Sequence, residues 1–200
     1  MDAMGFVTAG GRSSRMGRDK AWLALAGRPM IARVMDSLRP VVTGLAVIAN
    51  GDEYGRLGVP VVPDLNKGIG PIEAVRVALA ASQYDQVILV GCDLPFVTPE
   101  LFRYLLDRVG PYQSVVPMGP DNKPEPLCAI YSRSSLPHVQ RMIEAGQFKI
   151  SPLYDVVDTL FIPFEDLSGM AGSDLFFENI NTPEQYSRAL ALRSSSGYSP

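Results

Sequence analysis

Arg12, Arg15, Arg18 and Lys20 fall within nine residues, directly behind the pair Gly10-Gly11. Cations in that density, behind glycines, suit an anionic ligand. Glycine lets the backbone take tight or left-handed conformations. Its N–H groups can then point at anionic oxygens, and the cations offset the charge. A plain glycine turn with solvated arginines would account for the glycines alone. The cluster of cations in a chain of net charge −3 favours phosphate. Asp93 is the second informative position, in Gly91-Cys92-Asp93-Leu94-Pro95, just behind the apolar run Val87–Val90. A carboxylate at the carboxyl end of a buried strand, facing a phosphate loop, suits Mg²⁺, which takes one or two carboxylates plus phosphate oxygens and water. A carboxylate that only pins the turn before Pro95 is the other reading.

These residues need elements to position them. Met4–Thr8 reads as an apolar strand running into the glycine loop, and Ala26-Gly27-Arg28 as a turn. Pro29 suits the first position of a helix whose apolar face is Met30, Ile31, Val34, Met35 and Leu38. Leu45–Ala49 and Val59–Val62 read as strands, closed by Asn50-Gly51 and Pro63-Asp64. Pro71 opens a second helix, and Val87–Val90 is apolar without alternation, as in a central parallel strand. Thr98-Pro99-Glu100 caps a third helix. Strands alternating with amphipathic helices predict an α/β domain with a mainly parallel sheet. Ligands bind such sheets beyond the carboxyl ends of the strands, so the segments Thr8–Lys20, Asn50, Asp64–Gly70 and Gly91–Pro95 should gather at one edge.

The second half is less regular. Ser114–Pro117, Leu127–Tyr131 and Thr159–Pro163 read as strands, Ser135–Ala145 as a helix and Lys149–Asp155 as a short one. The stretch Gly119–Pro126, with Asp121, Asn122, Lys123 and Glu125, reads as a polar loop, and Glu165–Asp174 as another. Thr182-Pro183-Glu184-Gln185 has the spacing of a capping box before a last helix running to about Leu192. The expected organisation is one domain over residues 1–193 and a polar, disordered tail over 194–200.

Composition excludes several classes. An acidic balance argues against nucleic acid and membrane surfaces as partners. No apolar run reaches the roughly 18 residues of a membrane span, and the N-terminus lacks the pattern of a secretion signal. Cys92 and Cys128 lie apart in apolar stretches and read as buried thiols in a reducing, cytoplasmic setting. With His138 as the one histidine and no CxxC, a zinc site is not expected. The opening loop is neither a Walker A motif nor a GxGxxG fingerprint. No GxSxG accompanies a credible triad. Trp22 reads as packing beside the loop rather than as a platform for a base.

The string Thr8-Ala-Gly-Gly-Arg-Ser-Ser-Arg-Met-Gly-Arg-Asp-Lys20 resembles the signature (L)AGGxSxRMGxDK of nucleotidyltransferases that activate small phosphorylated molecules. Further pieces follow in order: Asn50, Pro63-Asp64, Gly68-x-Gly70-Pro71, GCDLPFV at 91–97, PLCAIY at 126–131 and NINTPEQY at 179–186. Together they are similar to the molybdenum cofactor guanylyltransferase family, over residues 4 to about 192. The resemblance implies a single-domain Rossmann-like α/β fold, with a twisted, mainly parallel sheet flanked by helices. It implies a transferase that moves GMP from GTP to the phosphate of molybdopterin or molybdenum cofactor, releasing pyrophosphate, with Mg²⁺ as cofactor.

Carried over by residue, the resemblance implies that Thr8, Ala9, Gly10, Lys20, Asn50 and Asp64 hold GTP. Asp93 would serve both nucleotide and Mg²⁺. Arg15, Gly17, Gly70, Asn179 and Asn181 would line the path of the pterin substrate or the transferring phosphate. Arg15, Lys20 and Asp93 would be the catalytic set. Cofactor-biosynthesis proteins and molybdoenzymes are the protein partners it implies. The chain departs from the pattern at Thr8, where leucine is usual, and at Glu73 and Ala74, which stand where the family often has Ala-Gly; Glu73 adds a negative charge close to where a phosphorylated substrate should approach. The alternatives are a related transferase using CTP or another phosphorylated acceptor, a non-catalytic nucleotide-binding adaptor, and a scaffold that hands on the pterin.

Overall fold

The computed structural model describes residues 2–10, 19–64, 66 and 69–195. Among them one seven-stranded sheet runs through the molecule in the order β5-β4-β1-β6-β8-β7-β9. Its centre is β1 (Ala3–Thr8), parallel to β4 (Gly44–Ile48) on one side and to β6 (Gln86–Gly91) on the other. The register sets Thr8 beside both Ile48 and Gly91, so three strands end level. β5 (Val61–Val62) extends the parallel run past β4. On the far side β8 (Cys128–Ser132) pairs antiparallel with β6 and with β7 (Ser114–Pro117), and β7 is parallel to β9 (Thr159–Ile162). Among the described strands of this sheet β8 therefore runs alone against the rest, and the sheet is mainly parallel as expected.

The unbroken apolar run in β6 has a simple cause. Ile88 and Val90 face one layer of core, with α1 (Met30–Leu38) and α3 (Pro99–Leu106). Val87 and Leu89 face the other, with α2 (Pro71–Ala81) and α4 (Leu136–Glu144). Strand residues alternate between faces, and a sheet covered on both faces must be apolar on both. Each fully buried large side chain contributes roughly 1.5–3 kcal/mol. A third cluster joins Leu25 and Met30 to Ile180 and Ala189. It ties the hairpin of β2 (Ala24–Leu25) and β3 (Arg28–Pro29) to the last helix, α6 (Pro183–Ser195).

Several boundaries differ from the sequence reading. Pro29 belongs to the hairpin and precedes the helix, because it pairs with Ala24 while Met30 N–H bonds back to Leu23 at 2.9 Å. The Asn50-Gly51 turn leads into a 3₁₀ helix over Asp52–Leu57, which fixes Tyr54 in the core. The stretch expected as loop, Glu165–Asp174, holds most of a short helix, α5 (Phe164–Leu167), and the start of a 3₁₀ turn over Ser173–Leu175; Leu167 and Ser173 bury themselves. Helix α6 continues to Ser195, three residues past its expected end, and residues 196–200 lie outside the described residues. No helix among the described residues is long and apolar enough to cross a membrane.

Candidate active site at the carboxyl edge of the sheet

The level ends of β1, β4 and β6 are pinned to one another. Ala9 N–H donates to Ile48 O at 2.9 Å and Cys92 N–H donates to Thr8 O at 3.0 Å. Thr8, Ala9 and Gly10 thus emerge between Asn50 and Asp93, as the sequence predicts. Gly10 takes a left-handed φ of 89°, a conformation that costs other residues energy. Arg12, Arg15, Gly17 and Arg18 lie outside the described residues.

Lys20 is the hub of the described part of the site. Its ammonium donates to Asp93 Oδ2 at 2.7 Å and to Asn181 Oδ1 at 2.7 Å. Both side chains of the Lys20–Asp93 ion pair are mostly sheltered, at 14% and 17% exposure, so the pair is less screened than a surface one. Three predicted residues from distant parts of the chain, 73 and 161 positions apart from Lys20, thus share one charged contact.

Each arm of this cluster is held by its own local device. Asp19 caps the 3₁₀ turn Lys20–Trp22, accepting from Ala21 N–H at 3.0 Å, while its other oxygen accepts from the Tyr54 hydroxyl. Tyr54 is buried; burial first, then the bond to Asp19, push its hydroxyl up. Trp22 packs on Tyr54 with ring centres 5.5 Å apart, and the Arg56 guanidinium lies 3.9 Å over Trp22. Trp22 is therefore a packing residue, as its sequence context suggests. Asp93 is folded back over the end of its own strand. A Cβ on Gly91 would lie 2.3 Å from Asp93 Oδ1, so glycine is needed there to make room for the carboxylate. Asn181 is placed by Ile180 N–H, which donates to Asp93 O at 2.9 Å. It is also placed by the predicted capping box. Gln185 Oε1 accepts from Thr182 N–H at 3.0 Å and Gln185 N–H donates to Thr182 Oγ1 at 3.3 Å.

The nucleotide-side residues form a second group. Asn50 Nδ2 donates to the Asp64 carbonyl at 2.8 Å, joining the ends of β4 and β5. Beside this contact is a cavity of about 380 Å³ lined by Ala49, Asn50, Gly51, Asp52, Gly55, Val61 and Pro63, within the range of small-molecule sites.

The loop behind Asp64 corrects one expectation. Glu73 was to add negative charge where a phosphorylated substrate approaches. Its side chain is instead 1% exposed, gripped by Arg76 at 2.7 and 2.8 Å and by Asn66 at 2.9 Å. Burial opposes its ionisation, but the bonds from Arg76 and Asn66 outweigh that and hold the carboxyl below the usual glutamate range. The charge is turned inward and neutralised. It ties the start of α2 to Asn66, whose N–H in turn donates to Asp64 Oδ1 at 3.2 Å.

Two predicted residues stand apart from the Lys20 contact. Asn179 donates to Phe177 O at 3.4 Å, within its own segment. Gly70 is the residue before Pro71 at the start of α2. Sequence reasoning missed Asp19 and Glu125. Asp19 sits inside the signature string, immediately before Lys20, but its partner Tyr54 is 35 residues away. Glu125 was read only as part of a polar loop. It is half-buried, and burial first, then the charges of Asp121 and Asp93, push its carboxyl up to about 7. Cys92 and Cys128 are buried free thiols, and His138 lies on α4, in contact with Arg141 at 3.1 Å and away from the site.

The arrangement offers an ammonium between two oxygen acceptors, a sheltered carboxylate and, at the ends of β4 and β5, a cavity. Such a set of groups can position anionic oxygens and offset their charge. Comparisons with known proteins agree. The family model described as MobA-like NTP transferase domain matches residues 5–157. The chain is 34% identical to a probable molybdenum cofactor guanylyltransferase of Pelotomaculum thermopropionicum, over 98% of this chain and 96% of that one. It is 35% identical to the probable enzyme of the same name from Carboxydothermus hydrogenoformans, over 94% and 95%. Molybdopterin-guanine dinucleotide biosynthesis protein A from Archaeoglobus fulgidus superposes with a TM-score of 0.80 at 26% identity, covering 96% of this chain and all of that one. With the site's geometry and these likenesses together, the chain belongs to the MobA-like NTP transferase family of nucleotidyltransferases.

Proposed function

We propose that this enzyme transfers GMP from GTP to the terminal phosphate of molybdopterin, or of its molybdenum-loaded form. The products are molybdopterin guanine dinucleotide and pyrophosphate. The observation that carries the reading is the Lys20 ammonium held at 2.7 Å from both Asp93 and Asn181. The names of the curated relatives support guanine and the pterin as the two substrate classes.

The nucleoside end of GTP fits the cavity at the ends of β4 and β5, with Asn50 and the Asp64 backbone at its rim and Thr8, Ala9 and Gly10 along the approach. Its phosphates then run towards Lys20. The acceptor enters from the side of Asn181 and Gly70. An oxygen of the acceptor phosphate forms a bond to the α-phosphorus as the bond from that phosphorus to the β-bridging oxygen breaks. The attacking oxygen is already anionic, so no strong base is required. That suits a site with no histidine in it. The protein's part is to bring two anions together and offset their repulsion.

A divalent cation, Mg²⁺ by our reading, fits the donors present. Asp93 and Asn181 supply hard oxygen atoms that already converge on one cationic position, filled here by the Lys20 ammonium. Asp93 would hold the ion, which when bound neutralises phosphate oxygens and polarises the α-phosphate. The reaction belongs in the cytoplasm, where buried thiols such as Cys92 and Cys128 stay reduced. The product passes to cofactor-biosynthesis proteins or molybdoenzymes.

Calorimetric titration with GTP, CTP, ATP and UTP in the presence of Mg²⁺ tests the nucleotide half. GTP is expected to bind at least tenfold more tightly than the others. Preference for CTP would overturn the assignment of guanine.

A further inference from the structure

Both oxygens of the Asp93 carboxylate are engaged within the chain. Oδ1 lies over the end of its own strand, so close to Gly91 that a Cβ there would stand 2.3 Å away. Oδ2 accepts from the Lys20 ammonium at 2.7 Å, and the same ammonium is 2.7 Å from Asn181 Oδ1. The position between Asp93 Oδ2 and Asn181 Oδ1 is thus held by a residue of the chain itself. The ion pair is sheltered, at 14% and 17% exposure, so each charge acts strongly on whatever else approaches.

The three partners differ in freedom. Asp93 and Asn181 are tied through the backbone. Cys92 N–H donates to Thr8 O at 3.0 Å, Ile180 N–H donates to Asp93 O at 2.9 Å, and Asn181 N–H donates to Gln185 Oε1 at 2.8 Å. Lys20 reaches them on a flexible four-carbon stem from a short 3₁₀ turn. Its ammonium can swing away without breaking any of those backbone bonds. Coordination to Mg²⁺ brings an oxygen to about 2.0–2.1 Å from the ion. An ammonium and such an ion cannot share the space between the same two oxygens, and their charges repel. We propose that Lys20 is an internal counter-ion of the cation site. Lys20 and a divalent cation are alternative occupants of the position between Asp93 and Asn181, so Lys20 must leave before Asp93 can coordinate the ion. While it stays, it holds down the affinity of Asp93 for a bare cation. Once displaced, the ammonium is free to meet phosphate oxygens. This inference rests on the proposed metal role of Asp93 and holds whichever nucleotide or acceptor is used.

The test is made with Mn²⁺ alone, without nucleotide or acceptor. The ion is titrated into wild type, Lys20→Met, Lys20→Gln, Asp93→Asn and the double variant Lys20→Met with Asp93→Asn, and free ion is followed by electron paramagnetic resonance. Thermal melts establish which variants are folded, and two Lys20 variants are used so that the loss of one leaves the other. Removing the ammonium is expected to tighten Mn²⁺ binding about tenfold or more, since a contacting charge shifts an ionic equilibrium by roughly one to three decades. Adding Asp93→Asn is expected to abolish that gain. If Lys20 served only to hold Asp93 in place, its removal would instead weaken binding. Equal or weaker Mn²⁺ binding in the folded Lys20 variants overturns the proposal. So does a gain that survives Asp93→Asn, since the ion then binds elsewhere. Loss of binding in Asp93→Asn with no gain in the Lys20 variants removes the competition and keeps Asp93 as a metal ligand. Binding that is independent of Asp93 in every background removes both.

Discussion

Asp93 accepts the Lys20 ammonium through one oxygen and shelters the other against Gly91. Removing its charge takes away the proposed metal ligand and leaves the Lys20 ammonium, among the described residues, without a carboxylate partner. Asp93→Asn is expected to lower kcat by about a hundred- to a thousandfold, or ~3–4 kcal/mol in the barrier, as for loss of one positioned oxyanion donor. Stopped assays of pyrophosphate release check this, with circular dichroism showing an unchanged fold. Turnover near that of wild type would remove Asp93 from the chemistry. Lys20, Asp93 and Asn181 were legible in the sequence because each lies in a recognisable string. Asp19 was legible as a residue type that caps a turn, but the Tyr54 hydroxyl that fixes it comes from a 3₁₀ helix with no periodic signal. Glu73 was legible only as an added charge. Its pairing with Arg76 follows from helical spacing, whereas its burial depends on how α2 packs on the sheet.

At the level of elements, the start of α2 and the start of α6 are both held by polar devices that can be measured. Glu73 sits below the ordinary glutamate value of about 4.5 in the folded protein. Its contribution is therefore present above pH ~4.5 and is lost as pH falls through the lower folded value. Urea melts of wild type should lose stability on acidification below pH ~4.5 more steeply than those of Glu73→Gln, and the two curves should converge in acid. Parallel curves would contradict the inward pairing. At α6, Thr182→Ala removes the cap on Gln185 N–H and is expected to cost about 1 kcal/mol in urea midpoint analysis. The cap was legible from four residues. The direction of β8 was not read, although a signal existed. The ten residues between Pro117 and Cys128 suit a hairpin, while a parallel return needs a crossover of a dozen or more.

Over the whole molecule, alternation of strands and helices was enough to predict the edge of the sheet at which the candidate residues gather. Parallel strands of an α/β sheet must end at one side, and loops following them have nowhere else to go. The register of β1 with β4 and β6 turns that rule into a site, with Thr8, Ile48 and Gly91 level. What the pattern could not supply is the division of the edge into two stations. One is the cavity beside Asn50 and Asp64; the other is the Lys20–Asp93–Asn181 contact. Two stations on one edge are what a two-substrate transferase needs. The most direct measurement is incubation of the enzyme with Mg²⁺, molybdopterin and each nucleoside triphosphate in turn, with the product read by mass spectrometry. The account predicts a pterin product heavier by one GMP residue with GTP, together with stoichiometric pyrophosphate, and no adduct with the other triphosphates. An adduct heavier by CMP, or no adduct with any triphosphate while GTP and pterin both bind, would contradict it.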